Sequence, residues 1–377
     1  MEIVIIGPVF PYKGGIAHDT ALMCKALRKT HKVHMLSYKL QYPKFLFKKE
    51  QKDYSNKTFF VDEVDYEINT INPFNWIRTA KRINRIKPSV VIIPWWHPYF
   101  APCYWMICKL LKNTKVLFIC HNVFPHEHFP LDRFLSKVTL RNGDLFIVHS
   151  SQDEKELKTV KASPIYRKTG VPEYAIFKQK DMSVYEARKM IGIKPNDRII
   201  LFFGLVREYK GLKYLLAAMP EIRNHLNDVK LFVVGEFRGE KELYDRQIRE
   251  LGIEDSVVLH DEYVPDDEVE RYFQSSDLVV LPYITATQSG VVQIAFSFEK
   301  PVVVTNVGGL PEVVQDGITG YVVPPRDSVA ISRAVCRFFD SEDHTVFKEA
   351  IHKKSSNNSW DDQTRSAVEG LVATGNK

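Results

Sequence analysis

Short apolar runs alternate with amphipathic segments along the whole chain, and this rhythm predicts the secondary structure. The candidate strands of the first half are residues 2–7, 31–38, 89–95, 115–121 and 145–150. Those of the second half are residues 198–204, 229–236, 256–263, 278–283 and 301–306. Helix-like segments, such as 73–87 and 243–253, separate them. Continuous β-branched runs separated by helices predict parallel sheets that are covered by helices on both faces.

The chain length predicts two domains, because 377 residues exceed one ordinary hydrophobic core. The weakest periodicity lies at residues 168–183, which contain Gly170 and Pro172. We therefore predict an N-terminal Rossmann-like domain, a linker, a C-terminal Rossmann-like domain and a last helical segment, over residues 1–170, 171–183, 184–355 and 356–377, respectively. Ser and Asn residues that favour helix N-caps precede the last helix.

Composition narrows the functional classes. A net charge of +6 suits anionic ligands or an anionic membrane surface, but it is too small to indicate nucleic acid. The five cysteines form no CxxC pair, which argues against a disulfide framework or a zinc site and favours a reducing cytoplasm. No apolar run approaches the ~18 residues of a membrane span, and the N-terminus lacks the basic segment of a signal peptide. We therefore expect a cytoplasmic protein.

One strand end carries the pattern of an anion site. The run Ile199–Phe203 ends at Gly204, and Arg207 and Lys210 follow just before an amphipathic helix. Unpaired N–H groups and the dipole at a helix N-terminus favour a negative group there. The Arg207 guanidinium could donate two hydrogen bonds to one phosphate, and the Lys210 ammonium would add a second positive charge. The stretch therefore predicts a site that binds a diphosphate. A surface turn with solvated charges is the alternative.

Three other predicted strands end in similar turns. Gly14-Gly15, Gln288-Ser289-Gly290 and Gly308-Gly309 each stand between a strand and a helix. Ligands of open α/β sheets bind at these carboxyl ends. No strand is followed by GxGxxG, so the nicotinamide fingerprint is absent and an oxidoreductase is disfavoured.

The chain resembles the retaining GT-B glycosyltransferases of family 4, also called group 1. The segments that carry the resemblance are FFGLVREYKGLKYLLAA, RYFQSSDLVVLPY and KPVVVTNVGGLPEVVQDGITGYVVPPRD, with GGIAHDT and CHNVFPHE in the first half. It covers almost the whole chain and is most specific in the second half. It implies a GT-B fold, in which two Rossmann-like, doubly wound parallel-sheet domains face each other across a cleft. It also implies a last helix that crosses back to the N-terminal domain, anchored by Trp360.

The resemblance also implies roles for individual residues. His121, Arg207 and Lys210 would be catalytic: His121 positions a sugar hydroxyl, and the two cations neutralise the departing phosphate without a metal. The donor-binding set would be Gly14, Gly15, Gly204, Gln288, Ser289, Gly290, Val291, Gln293, Gly308, Gly309 and Glu312. Gly14 and Gly15 would approach the diphosphate from the other domain on closure. The nucleotide-sugar is a substrate, so no cofactor is expected.

The sequence departs from the family pattern in two places. Leu205 stands where an arginine usually follows the glycine, and Arg207 is its inferred replacement. The family's E-x7-E motif should lie across 286–294, which contains no acid. Gln293 could still hydrogen-bond the ribose. Glu312 is the nearest acid in a matched motif, although it could equally be a helix N-terminal charge.

The first half mixes lysines with aromatic residues in two segments, 38–52 and 94–112. Such a mixture suits the headgroup region of an anionic bilayer. We predict acceptor or membrane contacts at Trp95, Trp96, Lys44, Lys48 and Lys49. One alternative is that the two segments are a surface loop and a buried helix. Another is that an acceptor sugar stacks on Trp95 or Trp96. The PHEHFP segment has His126 and His128 but lacks further ligands, so no metal is predicted.

The leading hypothesis is an enzyme, a metal-independent glycosyltransferase that moves a hexosyl group from a nucleotide-sugar to a saccharide or lipid-linked saccharide. UDP is the favoured nucleotide, retention is implied, and the product is a surface polysaccharide or glycolipid. The expected partners are donor, acceptor and peripherally the inner membrane face, without nucleic acid. Two alternatives stay open. One is a GT-B-fold sugar-nucleotide epimerase, which the acid-free stretch disfavours; the other is a catalytically weak partner protein that binds nucleotide or membrane.

Overall fold

The computed structural model describes residues 1–47, 50–55, 57–125, 129–171, 174–178, 180–237, 239, 241–341, 343–355 and 360–374. The chain divides into two compact units. The first unit contains Met1–Gly170 and Ser359–Lys377, and the second contains Val171–Asn358.

The first unit is built on a parallel sheet of seven strands in the order β3-β2-β1-β4-β5-β6-β7. The strands are β1 Glu2–Ile6, β2 Lys32–Leu40, β3 Val64–Asn69, β4 Val90–Trp95, β5 Lys115–Cys120, β6 Leu145–Val148 and β7 Ile165–Lys168. In the central strand β1, Ile3 pairs with Val33 of β2 and with Val90 of β4. The strand order therefore reverses between β1 and β4, which is where open α/β sheets leave a crevice.

Helices connect these parallel strands. They are α1 Gly15–Arg28, α2 Pro73–Ile86, α3 Ala101–Leu110, α4 Asp132–Leu140 and α5 Ser151–Val160. Local sequence fixes some helix starts: the Asn72 side chain accepts hydrogen bonds from two N–H groups of α2, and Ser150 caps α5 in the same way. Their inner faces cover strands that are almost wholly buried, such as β4 and β5.

The second unit repeats this plan with a parallel sheet of six strands in the order β10-β9-β8-β11-β12-β13. The strands are β8 Arg198–Phe203, β9 Val229–Val234, β10 Val257–His260, β11 Leu278–Leu281, β12 Val302–Thr305 and β13 Gly320–Val323. The helices are α6 Val184–Met190, α7 Leu212–His225, α8 Lys241–Glu250, α9 Val269–Ser275, α10 Gly290–Ser297, α11 Leu310–Val313, α12 Ser328–Asp340 and α13 Thr345–Ser355. The strand order of this sheet reverses between β8 and β11.

A last helix, α14 (Trp360–Thr374), belongs to the first unit and packs against α1, β6 and β7. Arg167 of β7 donates to the Ser366 carbonyl, and His31 pairs with Glu369. The side chain of Trp360, the predicted anchor, lies outside the described residues.

All ten predicted strands are present, with ends that differ by up to three residues. The predicted fold class, with two Rossmann-like parallel sheets, is confirmed. Three strands, β3, β7 and β13, were not among the predicted strands, and each lies at a sheet edge. Among the described residues, no helix is long and apolar enough to span a bilayer.

Candidate functional site

The turn after β8 stands at the strand-order reversal of the second unit. Gly204 has φ +100, and a one-turn 3-10 helix follows at Glu208–Lys210. Gly211 has φ +68, and a Cβ there would lie 2.0 Å from the Pro282 carbonyl oxygen. Only glycine permits this approach, which seats the turn after β8 against the turn after β11. A hydrogen bond of 2.7 Å from Ile284 N to Tyr209 O joins the same two turns.

Lys210 is a buried cation in this turn. Its side chain lies under the turn, where Nζ is 5.7 Å from the centre of the Tyr283 ring, and the residue is only 8% exposed. Burial, and secondarily the charge of Arg207, lowers the pKa of Lys210 to about 8. In the described part of the chain no carboxylate pairs with Lys210, since Glu208 pairs with Lys213 instead. A buried ammonium without a counter-ion strongly favours an anionic ligand.

The N-terminus of α10 adjoins this cation. Ser289 is the N-cap residue, but its side chain caps no N–H group of the helix. A Cβ on Gly204 would lie 3.8 Å from Val291 Cγ2, which places the first turn of α10 beside the turn after β8. The structure therefore brings the predicted site residues Gly204, Lys210 and Val291 together.

The turn after β12 closes the same edge of the sheet. Gly308 has φ +52, and a Cβ there would lie 1.5 Å from the Ala286 carbonyl oxygen. Gly309 N donates to Thr287 O at 2.8 Å, and Gln288 Nε2 lies 3.5 Å from Gly309 O. The turns that contain Gln288–Gly290 and Gly308-Gly309 are thus in direct contact.

Two predicted donor residues differ in their surroundings. Gln293 lies on α10 and is 2% exposed, so its amide is held within the fold. Glu312 lies in the first turn of the short helix α11 and is exposed, which agrees with the alternative of a helix N-terminal charge. Their roles in donor binding stay predictions.

In the first unit, His121 follows β5 at the carboxyl edge of the sheet, and its backbone N–H donates to Trp95 O. Its Nδ1 lies 3.4 Å from a carboxylate oxygen of Asp19, and the His149 ring is centred 5.6 Å away. Burial, followed by the neighbouring His149, lowers the pKa of His121 to about 3, so the ring is neutral at pH 7. Burial also lowers the pKa of His149, whose Nδ1 lies 3.2 Å from the Thr169 carbonyl oxygen.

Asp19 and His149 were not predicted as members of this cluster. Asp19 lies inside the quoted GGIAHDT segment, and His149 follows β6 as His121 follows β5. The strand-end rule could therefore have found His149. Gly14 has φ +101 and open space around it, and Gly15 begins α1 after β1.

The predicted acceptor or membrane set is corrected at Trp95. This side chain is fully buried, and its Nε1 donates to Val123 O, because Trp95 closes β4 inside the core. Trp96 is partly buried, packs on Phe100 and donates to the Tyr42 hydroxyl. Lys44 is exposed, whereas Lys48, Lys49 and residues 126–128 lie outside the described residues.

Comparison with known proteins bears on the second unit most directly. Residues 197–341 match the family model described as Glycosyl transferases group 1. An uncharacterized glycosyltransferase of Methanocaldococcus jannaschii is 30% identical over 187 residues, which cover 48% of this chain and 46% of that protein. A lipopolysaccharide 1,2-N-acetylglucosaminetransferase of Salmonella typhimurium is 28% identical over 185 residues, 46% of this chain and 48% of that protein. The chain thus spans about half the length of these curated relatives.

Solved structures match the whole chain at low identity. Sucrose-phosphate synthase from Thermosynechococcus elongatus has a TM-score of 0.76 at 16% identity, with 99% of both chains covered. HepE from Anabaena, in complex with UDP, has a TM-score of 0.75 at 16% identity, with 98% of this chain and 100% of that chain covered. The chain therefore has the GT-B fold, and its residues 197–341 are similar to the group 1 glycosyl transferases.

Proposed function

We propose that this protein is a metal-independent hexosyltransferase that uses a nucleoside-diphosphate sugar, with UDP favoured, and acts on a saccharide or lipid-linked saccharide. The observation that carries the proposal is the buried Lys210 ammonium beside Arg207. It lies at the carboxyl end of β8, inside the segment that matches the group 1 model. A diphosphate supplies the counter-charge that the described residues around Lys210 do not.

The same cations provide the catalytic electrostatics. When the bond between the sugar and the diphosphate breaks, negative charge grows on the departing phosphate. Lys210 and Arg207 stabilise that charge, and burial of Lys210 strengthens the effect because the local dielectric is lower than that of water. We assign the retention of anomeric configuration from the family resemblance.

The neighbouring turns fit the rest of the donor. The first N–H groups of α10, from Gly290 and Val291, suit a phosphate or sugar oxygen. The Gln293 amide can hydrogen-bond a ribose hydroxyl in place of a carboxylate. The Anabaena HepE structures contain UDP, UDP with glucose, and UDP-glucose, which supports UDP as the nucleotide here.

We assign His121 to hydrogen bonding with a sugar hydroxyl. A neutral imidazole has one nitrogen that donates and one that accepts, so it can hold a hydroxyl without carrying charge. Asp19, at 3.4 Å from Nδ1, orients the ring.

The test is a thermal-shift assay of the wild-type chain with UDP-, GDP- and ADP-sugars, in parallel with Arg207→Ala/Lys210→Ala. Lys213→Ala is the matched control, because Lys213 lies in the first turn of the adjoining helix α7 but is only partly buried and pairs with Glu208. A donor at 100 times its Kd stabilises the native state by about 2.7 kcal/mol. We expect one donor to raise the Tm of the wild type and of the control, but not of the double variant.

A second assay follows release of free nucleotide from the donor so identified. Turnover supports the transferase. Donor binding without turnover, with or without candidate acceptors, would favour the catalytically weak partner protein, to which the acid-free 286–294 stretch also points. A wild type that responds to no nucleotide-sugar would contradict the transferase and would leave only a partner protein that binds the membrane.

A further inference from the structure

The outward side of α2 carries a row of cations with a phenyl ring at its N-terminal end. Phe74, Arg78, Lys81 and Arg85 follow one another at spacings of four, three and four residues, which places them on one stripe of the helix. The residues that α2 buries are on the opposite side: Trp76, Thr79, Ala80 and Ile83. We call Ile71, Phe74, Ile77, Arg78, Lys81 and Arg85 the α2 outer face.

The apolar members of this face are strongly exposed. Phe74 is 84% exposed and Ile71 is 50% exposed, although α2 already has a complete buried side. A phenylalanine on the solvent side of an amphipathic helix adds nothing to the core. Its exposure is explained if that side of the helix contacts another apolar surface.

Among the described residues, no carboxylate pairs with the three cations of this face. The α2 segment contains no Asp or Glu. Within the residues that the structure describes, Arg78, Lys81 and Arg85 form no ion pair, whereas Arg82, on the adjoining side of the helix, pairs with both Asp65 and Glu67. The outer face is therefore a concentrated positive surface.

A second exposed apolar group lies on the loop after β2, whose first residue, Gln41, is hydrogen-bonded to Thr70, three residues before α2. Thr70 joins the end of β3 to the end of β2, since its N–H donates to Leu40 O and its hydroxyl to Gln41 O. The loop that continues from Gln41 turns at Pro43, and its tip exposes Phe45 by 75% and Leu46 by 56% beside Lys44.

We propose that the α2 outer face, with the tip Lys44–Leu46, binds the surface of an anionic phospholipid bilayer. Phe74 and Ile71 enter the boundary between headgroups and acyl chains, while Arg78, Lys81 and Arg85 face lipid phosphates. Charge complementarity alone would also suit an acidic polymer. The exposed phenyl ring distinguishes the two, because a polyanion in water offers it no apolar partner. This inference does not depend on the proposed transferase activity.

The experiment is co-sedimentation of the full chain with vesicles of phosphatidylcholine alone and of phosphatidylcholine mixed with phosphatidylglycerol, without donor or acceptor. The test variant is Arg78→Gln/Lys81→Gln/Arg85→Gln. The control is Arg246→Gln/Arg249→Gln/Arg333→Gln, which removes the same charge from exposed positions on α8 and α12. Circular dichroism confirms that both are folded.

We expect salt-sensitive binding to the mixed vesicles only. Three surface cations together account for about 100-fold in membrane affinity. The affinity of the α2 variant for the mixed vesicles should therefore fall by about this factor, while the control variant keeps its affinity. Phe74→Ser should weaken binding several-fold without changing its dependence on salt. Absence of binding, equal loss in both triple variants, or binding to polyglutamate in solution but not to vesicles would overturn the proposal.

Discussion

The ammonium nitrogen of Lys210 lies 2.9 Å from the position that a Cβ atom would take on Gly204. The two residues are six positions apart, and the 3-10 turn folds the lysine back over the glycine. The absent side chain of Gly204 thus provides the space in which the cation is held. Glycine is needed there for two reasons, the φ of +100 and the room for Lys210.

Replacement of this glycine tests the arrangement. Gly204→Ala should displace the Lys210 ammonium and weaken donor binding at least about tenfold, as the loss of one charge-assisted contact would. Isothermal titration with UDP measures the change. Gly239→Ala is the control, because its φ of +92 imposes similar strain while nothing lies within 4 Å of its Cβ position. Equal losses of affinity in the two variants would mean that strain, and not the position of Lys210, is responsible.

We expect the buried Lys210 ammonium to lower the stability of the ligand-free protein. Its pKa falls from 10.5 in the unfolded chain to about 8 in the fold, so the unfolded state binds more protons between these pH values. The free energy of unfolding of the wild type should therefore rise as the pH rises through this window. Lys210→Met removes the buried charge and should stabilise the ligand-free protein by about 1–3 kcal/mol near neutral pH, while donor binding is lost.

Urea unfolding at neutral pH and near pH 10 measures this effect. The difference between Lys210→Met and the wild type should shrink at the higher pH, where the wild-type lysine is neutral in the fold. Lys213→Met, at a partly buried lysine that pairs with Glu208, is the comparison substitution. A Lys210→Met variant that is less stable than the wild type at neutral pH would contradict a buried, unpaired ammonium.

His121 should stay neutral throughout the working range. Its pKa falls from 6.5 to about 3, so the stability of the wild type should decrease as the pH drops below 6.5, because the unfolded state binds the proton more readily. His121→Gln should reduce this loss of stability at acid pH. It should also lower kcat while the affinity for the donor is kept. Denaturation midpoints against pH provide the measurement. His225→Gln, at an exposed histidine paired with Asp340, is the comparison substitution.

Two of the three strands that sequence patterning missed, β3 and β7, share one physical cause. β3 contains Asp65 and Glu67, and β7 contains Arg167 and Lys168. Each of these strands lies at a sheet edge, where one side meets solvent and polar residues are tolerated. Central strands, such as β1 and β4, are buried on both faces and read as continuous apolar runs.

The sequence indicates those parts of the candidate site for which position along the chain is enough. Gly204 and Lys210 could be predicted because a glycine at a strand end followed by a helix is a local pattern. The meeting of Asp19, His121 and His149 depends on the spatial order of β1, β4, β5 and β6, which no local pattern contains. The assignment of Trp95 to a surface failed because composition does not show that Trp95 ends β4, a strand that is buried on both faces of the sheet.

The attachment of α14 to α1, β6 and β7 determines the order in which the two units can be completed during synthesis. The ribosome releases residues 1–170 first, yet this unit lacks its last helix until the whole of 171–358 has emerged. The second unit is continuous in the chain and can fold as soon as it is exposed. The unit that is translated first is consequently finished last, and α1 offers its surface to solvent or to chaperones until α14 arrives.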